Sequence, residues 1–274
     1  LVNTLDGIPT FIEDGAPVVL DANVQIFDVE LSALNNFNGA TLTLARNGAA
    51  NADDQLVFDG TVVTVSGSAV SVSGVQVGTY TFTGGEMAIT FNGNATQAHV
   101  NTLMQHILYY NVSDAPPASA QIDWTFSDGN TGSQGSGGAL QVTGHTTVTI
   151  TAVNDAPTIT NLSGDSVSYS EGDGAVVIEQ GANALVADMD STNFDTGTLT
   201  VSIPAGGDSA EDVLSIRNQG TGAGQIGVSG SNITYGGTTI GTFTGGSSGS
   251  DLVITLNSSA TPTAVTALVN TVAY

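Results

Sequence analysis

The residues best equipped for chemistry in this chain are acids set in close pairs: Asp28-x-Glu30, Asp53-Asp54 and Asp188-x-Asp190. Carboxylates about 4 to 5 Å apart repel by roughly 1 kcal/mol in water, and by more where water is excluded. The sequence sets 25 Asp and Glu against 2 Lys and Arg, a formal charge of −23, so internal counterions are scarce. A hard cation is then the available source of relief. Ca²⁺ takes about six to eight oxygen ligands, and a D-x-D at the loop end of a strand offers two from one side. The competing reading is a solvated acidic loop that serves solubility alone.

The chain carries its own ruler for weighing these acids, because it repeats itself. ATQAHVNTLMQHILYY at 95–110 returns as ATPTAVTALVNTVAY at 260–274, TFTGG at 81–85 returns at 242–246, and ADDQLVF at 52–58 returns as AEDVLSI at 210–216. Self-similarity of this length marks an array of like modules. Aligned, Glu13 falls on Glu171, Asp21 on Glu179, Asp28 on Asp188, Glu30 on Asp190, Asp53 on Glu211 and Asp54 on Asp212. Acids placed only for solubility need not keep such register, although copies of one ancestor share some by descent.

The elements that would position these acids read as strands. TLTLA at 41–45, TVVTVSGSAVSVSGVQV at 61–77, HTTVTITAV at 145–153, TLTVSI at 198–203 and DLVITL at 251–256 alternate apolar and polar residues, with Gly, Asn, Asp and Ser between runs. That pattern predicts half-buried antiparallel strands, and many short strands per unit predict a β-sandwich. Over 95–109, Ala95, Val100, Leu103 and Ile107 recur at helical spacing, with Asn94 or Thr96 as cap, which predicts one short helix per module. The expected fold is therefore all-β, two tandem antiparallel sandwich modules each with one helix, at 1–157 and 158–274. Residues 110–157 have no counterpart in the second repeat, so that module is expected to present an unpaired sheet edge and to be the less stable.

Composition narrows the function classes. An acidic surface without basic patches excludes nucleic acid and disfavours anionic membranes as partners. Disorder is countered by 40% hydrophobic residues. Cysteine is absent, so outside a cell some stabiliser other than a disulfide is expected. No apolar run approaches the roughly 20 residues that span a bilayer, and the start lacks a signal-peptide pattern, as expected of a fragment of something longer.

At the linker Val153-Asn154-Asp155-Ala156-Pro157, at the early Glu13 and Glu171, and at the D-x-D/E pairs, the chain resembles the cadherin-like repeats of large secreted bacterial adhesins of the RTX type. The pattern AT…V…L…Y, then Ser113-Asp114-Ala115-Pro116 and Trp124-Thr125-Phe126-Ser127-Asp128-Gly129, extends the likeness across the first repeat. The resemblance implies Ca²⁺ where modules meet, with Glu13, Asn154, Asp155, Asp188 and Asp190 as ligands and Asp53 and Asp54 added by analogy. It implies that Asp28 and Glu30 face a preceding module, and that Glu171, Glu211 and Asp212 face a following one. Ala152 stands where a full cadherin linker carries an acid, which puts one ligand in doubt. By the same resemblance the chain would be a non-enzymatic extender on the bacterial cell surface, whose partners are neighbouring repeats. The alternative is an adhesive module that binds a surface glycan or another adhesin chain.

Other candidates have plainer explanations. His99 and His106 lie about two turns apart on one helix face, but the second repeat has Ala264 and Thr271 there. Asp128-Gly129-Asn130 reads as a turn, Trp124 as core, and no G-x-S-x-G elbow or other catalytic constellation occurs.

Overall fold

A computed structural model describes residues 5–132, 136–204, 206–208 and 211–274 of the 274. Ala210, the first residue of the repeated AEDVLSI, lies outside them. The fold is all-β, with several antiparallel sheets, and divides into two compact units, Leu1–Val153 and Asn154–Tyr274.

In the first unit the chain runs β1 (Thr10–Ile12), β2 (Val18–Val19), α1 (Val29–Leu34), β3 (Thr41–Arg46) and β4 (Asp54–Phe58). It continues through β5 (Val63–Ser66), β6 (Ala69–Val72), β7 (Val75–Thr83), β8 (Glu86–Phe91) and α2 (Gln97–Gln105), and ends with β9 (Ile107–Asn111), β10 (Ser119–Ser127) and β11 (Gln141–Thr151). Eight strands form one sheet in the order β1-β11-β10-β3-β8-β7-β6-β5, and a smaller sheet has the order β2-β9-β4. Every pairing is antiparallel except β1 with β11, where Phe11 stands opposite Ile150. Inward residues of both sheets and of α2 share one core, centred on Trp124, Tyr109, Phe11, Phe37, Leu42 and Leu44.

The second unit runs β12 (Thr158–Thr160), β13 (Leu185–Ala187), β14 (Thr198–Val201), β15 (Ser215–Ile216) and β16 (Ile226–Ser229), then β17 (Asn232–Tyr235), β18 (Thr238–Gly245), β19 (Leu252–Leu256), α3 (Pro262–Val269) and β20 (Val272–Ala273). Its main sheet has the order β14-β19-β18-β17-β16, with two-stranded pieces β12-β13 and β15-β20. A separate core gathers Ile226, Ile233, Ile240, Leu252, Ile254 and Leu268. The repeat is visible down to backbone detail. A register shift interrupts β6–β7 after Val70 and β17–β18 after Ile233. Glycine is required beside each shift: a Cβ on Gly78 would sit 2.3 Å from the Thr90 carbonyl oxygen, and one on Gly241 2.4 Å from that of Thr255.

Two expectations about helices are corrected. The helix expected over 95–109 stops at Gln105, and Ile107–Asn111 is strand β9, with Ile107, Tyr109 and Asn111 buried and the residues between them half-buried. Thr96 is the cap, accepting the His99 N–H at 3.2 Å, and Thr261 does the same for α3 with Ala264 at 3.3 Å. The first unit also has a second helix, α1. Asp28 caps it by accepting the N–H groups of Glu30 and Leu31 at 3.0 and 2.8 Å, and Asn35 ends it in the left-handed region. No helix among the described residues is long and apolar enough to cross a membrane.

Candidate functional site

Parallel pairing of β1 with β11 carries Glu13 to the last residues of the first unit. Its N–H donates to the Thr151 carbonyl at 3.0 Å, and its Oε2 accepts the Val153 N–H at 2.7 Å. The side chain is only 5% exposed, and Oε1 is buried without a hydrogen-bond partner. A buried carboxylate oxygen left unmatched costs on the order of 1–3 kcal/mol or more, so Glu13 is a destabilising feature unless something neutralises it.

Within the second unit, pairing of β12 with β13 sets Thr158 opposite Ala187, so the residues just before β12 run beside those just after β13. Asp188 Oδ1 accepts the N–H groups of Asp190 and Ser191 at 3.1 and 2.8 Å, a tight Asp turn that presents the pair. Asp190 Oδ2 in turn accepts the Asp155 N–H at 2.5 Å. The Asn154 side-chain amide donates to the Asp155 carbonyl at 2.8 Å. Asp155 and Asp188 are half-buried and Asp190 is exposed. The Asp188–Asp190 turn thus stands against the backbone at Asp155.

The remaining acids part company. Asp53 and Asp54 are sequence neighbours in unlike settings. Asp53 is exposed, while Asp54 is fully buried and engaged on both oxygens. Arg46 grips it in a fork, Nε to Oδ2 at 2.5 Å and Nη2 to Oδ1 at 2.7 Å. Oδ1 also accepts the Tyr109 hydroxyl at 2.5 Å and the Asn111 side-chain N–H at 2.9 Å. The bond to Asp54 raises the Arg46 guanidinium above its ordinary value, and burial, then the bond to Asp54, pushes the Tyr109 hydroxyl up. Its charge is matched by Arg46 and both oxygens are hydrogen-bonded inside the first unit. The sequence reading missed this network; the signal for it was a lone Arg ending the apolar alternation TLTLAR.

Asp28 spends one oxygen on the α1 cap, and with Glu30 and Asp128 it lines a hollow of about 200 Å³. Asp128 holds a turn, accepting the N–H groups of Asn130 and Leu140 at 3.0 and 2.9 Å. Glu171 is exposed, unlike its counterpart Glu13, and among the described residues no strand pairs beside it. Asp21 and Glu179 are both buried; Asp21 staples backbone N–H groups of Gly7 and Asn23, and Glu179 that of Asn183. His99 and His106 bond the local carbonyls of Asn94 and Thr102 at 2.9 and 2.7 Å. Trp124 is 1% exposed, so it belongs to the core and not to a surface platform.

Among the described residues, no three His, Asp or Glu side chains stand close enough together to hold a metal by themselves. Ca²⁺ also accepts carbonyl and amide oxygens, and Asn154 and Asp155 carry both on the segment that Asp190 holds. The donor set is hard oxygen throughout, which suits Ca²⁺ better than a transition metal. No protein-family model matches this sequence, and no curated protein matches it at a significant level.

Proposed function

We propose that the chain is a pair of cadherin-like β-sandwich modules from the extender region of a bacterial surface adhesin, and that Ca²⁺ held by Glu13, Asn154, Asp155, Asp188 and Asp190 stiffens the linker between them. Its work is mechanical and extracellular, and no reaction is assigned to it. The observation that carries this reading is the pair of acidic anchors along five residues of linker. Glu13 is tied to Val153 with a buried oxygen unmatched, and Asp190 is tied to Asp155, two residues on. Without a cation Asp188 and Asp190 repel each other and Glu13 stays uncompensated. With one, that repulsion turns into attraction for the linker backbone.

Extracellular calcium modules bind with Kd on the order of 10⁻⁴ to 10⁻³ M. At about 10 mM Ca²⁺ and a Kd of about 0.5 mM, mass action adds roughly 1.8 kcal/mol to the folded state. Calorimetric titration of the whole chain, repeated with Asp188→Ala plus Asp190→Ala, tests the assignment. The double variant is expected to lose at least one site and the calcium-dependent rise in thermal midpoint. Equal midpoints and equal scattering profiles in calcium and in EGTA for the unaltered chain sink the proposal.

A further inference from the structure

The two units treat one buried acid differently. Asp21 and Glu179 hold the same place in the repeat: Leu20 donates its N–H to the Ile107 carbonyl at 3.0 Å, and Ile178 donates to the Val272 carbonyl at 3.0 Å. The two acids are 1% and 4% exposed. Asp21 is answered on both oxygens, Oδ2 accepting the Gly7 N–H at 2.9 Å and Oδ1 the Asn23 N–H at 3.0 Å. Glu179 keeps only the second of these bonds. Its Oε1 accepts the N–H of Asn183, the counterpart of Asn23, at 3.2 Å. Its Oε2 is buried without a hydrogen-bond partner among the described residues, which is costly for a carboxylate.

The difference lies in the residue that aligns on Gly7, which is Asp165. A Cβ on Gly7 would stand 3.2 Å from Asp21 Oδ2, so a side chain at this position is directed at the buried acid. It would also stand 2.3 Å from the Leu20 carbonyl oxygen, so a residue with a side chain cannot keep the Gly7 backbone position, and the N–H that Gly7 supplies is lost. The Asp165 carboxylate reaches instead to the residue after Glu179, its Oδ2 accepting the Gln180 N–H at 2.7 Å. A donor has thus been exchanged for a second carboxylate beside an acid with an unmatched oxygen. Neither acid is in an ion pair among the described residues. We propose that Glu179 and Asp165 hold a hard divalent cation, Ca²⁺ or Mg²⁺, inside the second unit. Glu179 Oε2 is its inner ligand and the exposed Asp165 carboxylate its outer one. Two carboxylates match the charge of one such ion, and water completes a shell of oxygens that both cations accept. The inference uses none of the linker acids and stands apart from the calcium reading above.

The test follows backbone amide resonances of the isotope-labelled full chain during titration with calcium chloride and, in a separate arm, magnesium chloride. The Gln180 and Asn183 amides are expected to shift and saturate with an apparent Kd on the order of 10⁻³ M, and the arm that saturates at the lower concentration names the ion. The Asn23 amide, bonded to an acid that is answered on both oxygens, is expected to stay still. Glu179→Gln keeps the shape of the side chain and removes its charge. That variant and Asp165→Asn are each expected to weaken the response roughly tenfold or more, while any shifts at Asp155 and Ser191, which report the linker acids, stay as they were. Absence of saturating shifts at Gln180 and Asn183 with both ions overturns the proposal, as do shifts in E179Q equal to those of the unaltered chain. Equal shifts from sodium chloride at matched ionic strength also overturn it, because they report screening alone.

Discussion

Replacing Arg46 with Met should unfold the first unit far more readily and leave the second untouched. The perturbation removes one partner of a pair whose other member, Asp54, has no solvent exposure, while the Arg46 side chain is 21% exposed. Stripping the partner from a buried charge costs about 3–5 kcal/mol. Water reaches the guanidinium, and the Tyr109 hydroxyl and the Asn111 amide still donate to the carboxylate, so the low end, about 3 kcal/mol, is expected. The chain has a single tryptophan, Trp124, buried in the first unit, so its fluorescence during urea unfolding reports that unit alone. With a slope of about 2 kcal/mol per M, the midpoint falls by roughly 1.5 M. Adding Asp54→Asn removes the stranded charge, and the double variant should recover at least half of the loss. A loss below about 1 kcal/mol for the single variant, or a double variant no better than R46M, refutes the account of Asp54 as a structural anion held by Arg46.

The strands were legible because half-buried antiparallel strands write their burial into the sequence at period two, as Leu42 and Leu44 of β3 do. The helix boundary was not, because Ile107 fits helical spacing from Val100 and strand alternation with Tyr109 equally well. What decides is β9 pairing with β4, in which Tyr109 faces Leu56 across more than fifty residues of chain. The helix α1 is hidden by its six-residue length, and its best local sign is Asp28 as a cap, a role that its pairing with Glu30 does not announce.

The acids divide along the same line. Register between repeats identified positions that matter but not what each does, since that depends on pairings remote in sequence. Glu13 is buried because β1 docks in parallel on β11, and Glu171 is exposed, with no strand paired alongside it among the described residues. Asp54 is spoken for by Arg46, whereas Asp212 meets Tyr274 with Ile203 standing at the aligned position. Of the chain's two cationic side chains, one is thus committed inside the first unit, which leaves the linker acids without a counterion from that unit.

Two further outcomes test this picture. The Asp59 carboxyl is pushed up by burial but held down to about 2 by the Val63 N–H, the Thr61 hydroxyl and the Val62 and Thr61 N–H groups. Its folded value is depressed below the unfolded one, so its stabilisation, on the order of 1 kcal/mol after solvent screening, is full above about pH 4 and lost as pH falls through about 2; wild type and D59N should differ by that amount at pH 6 by Trp124 fluorescence and converge at pH 2. The second outcome concerns the twin aromatic pairs, which share an edge-to-face geometry but not burial. Phe11→Ala removes a ring that is 1% exposed and should cost its unit about 3–5 kcal/mol, whereas Tyr169→Ala removes one already 43% in water and should cost its own under about 1.5 kcal/mol. Exchange protection in β9 and in β15–β20 reads the two losses separately. Equal losses would mean that Tyr169 is as well covered in solution as Phe11.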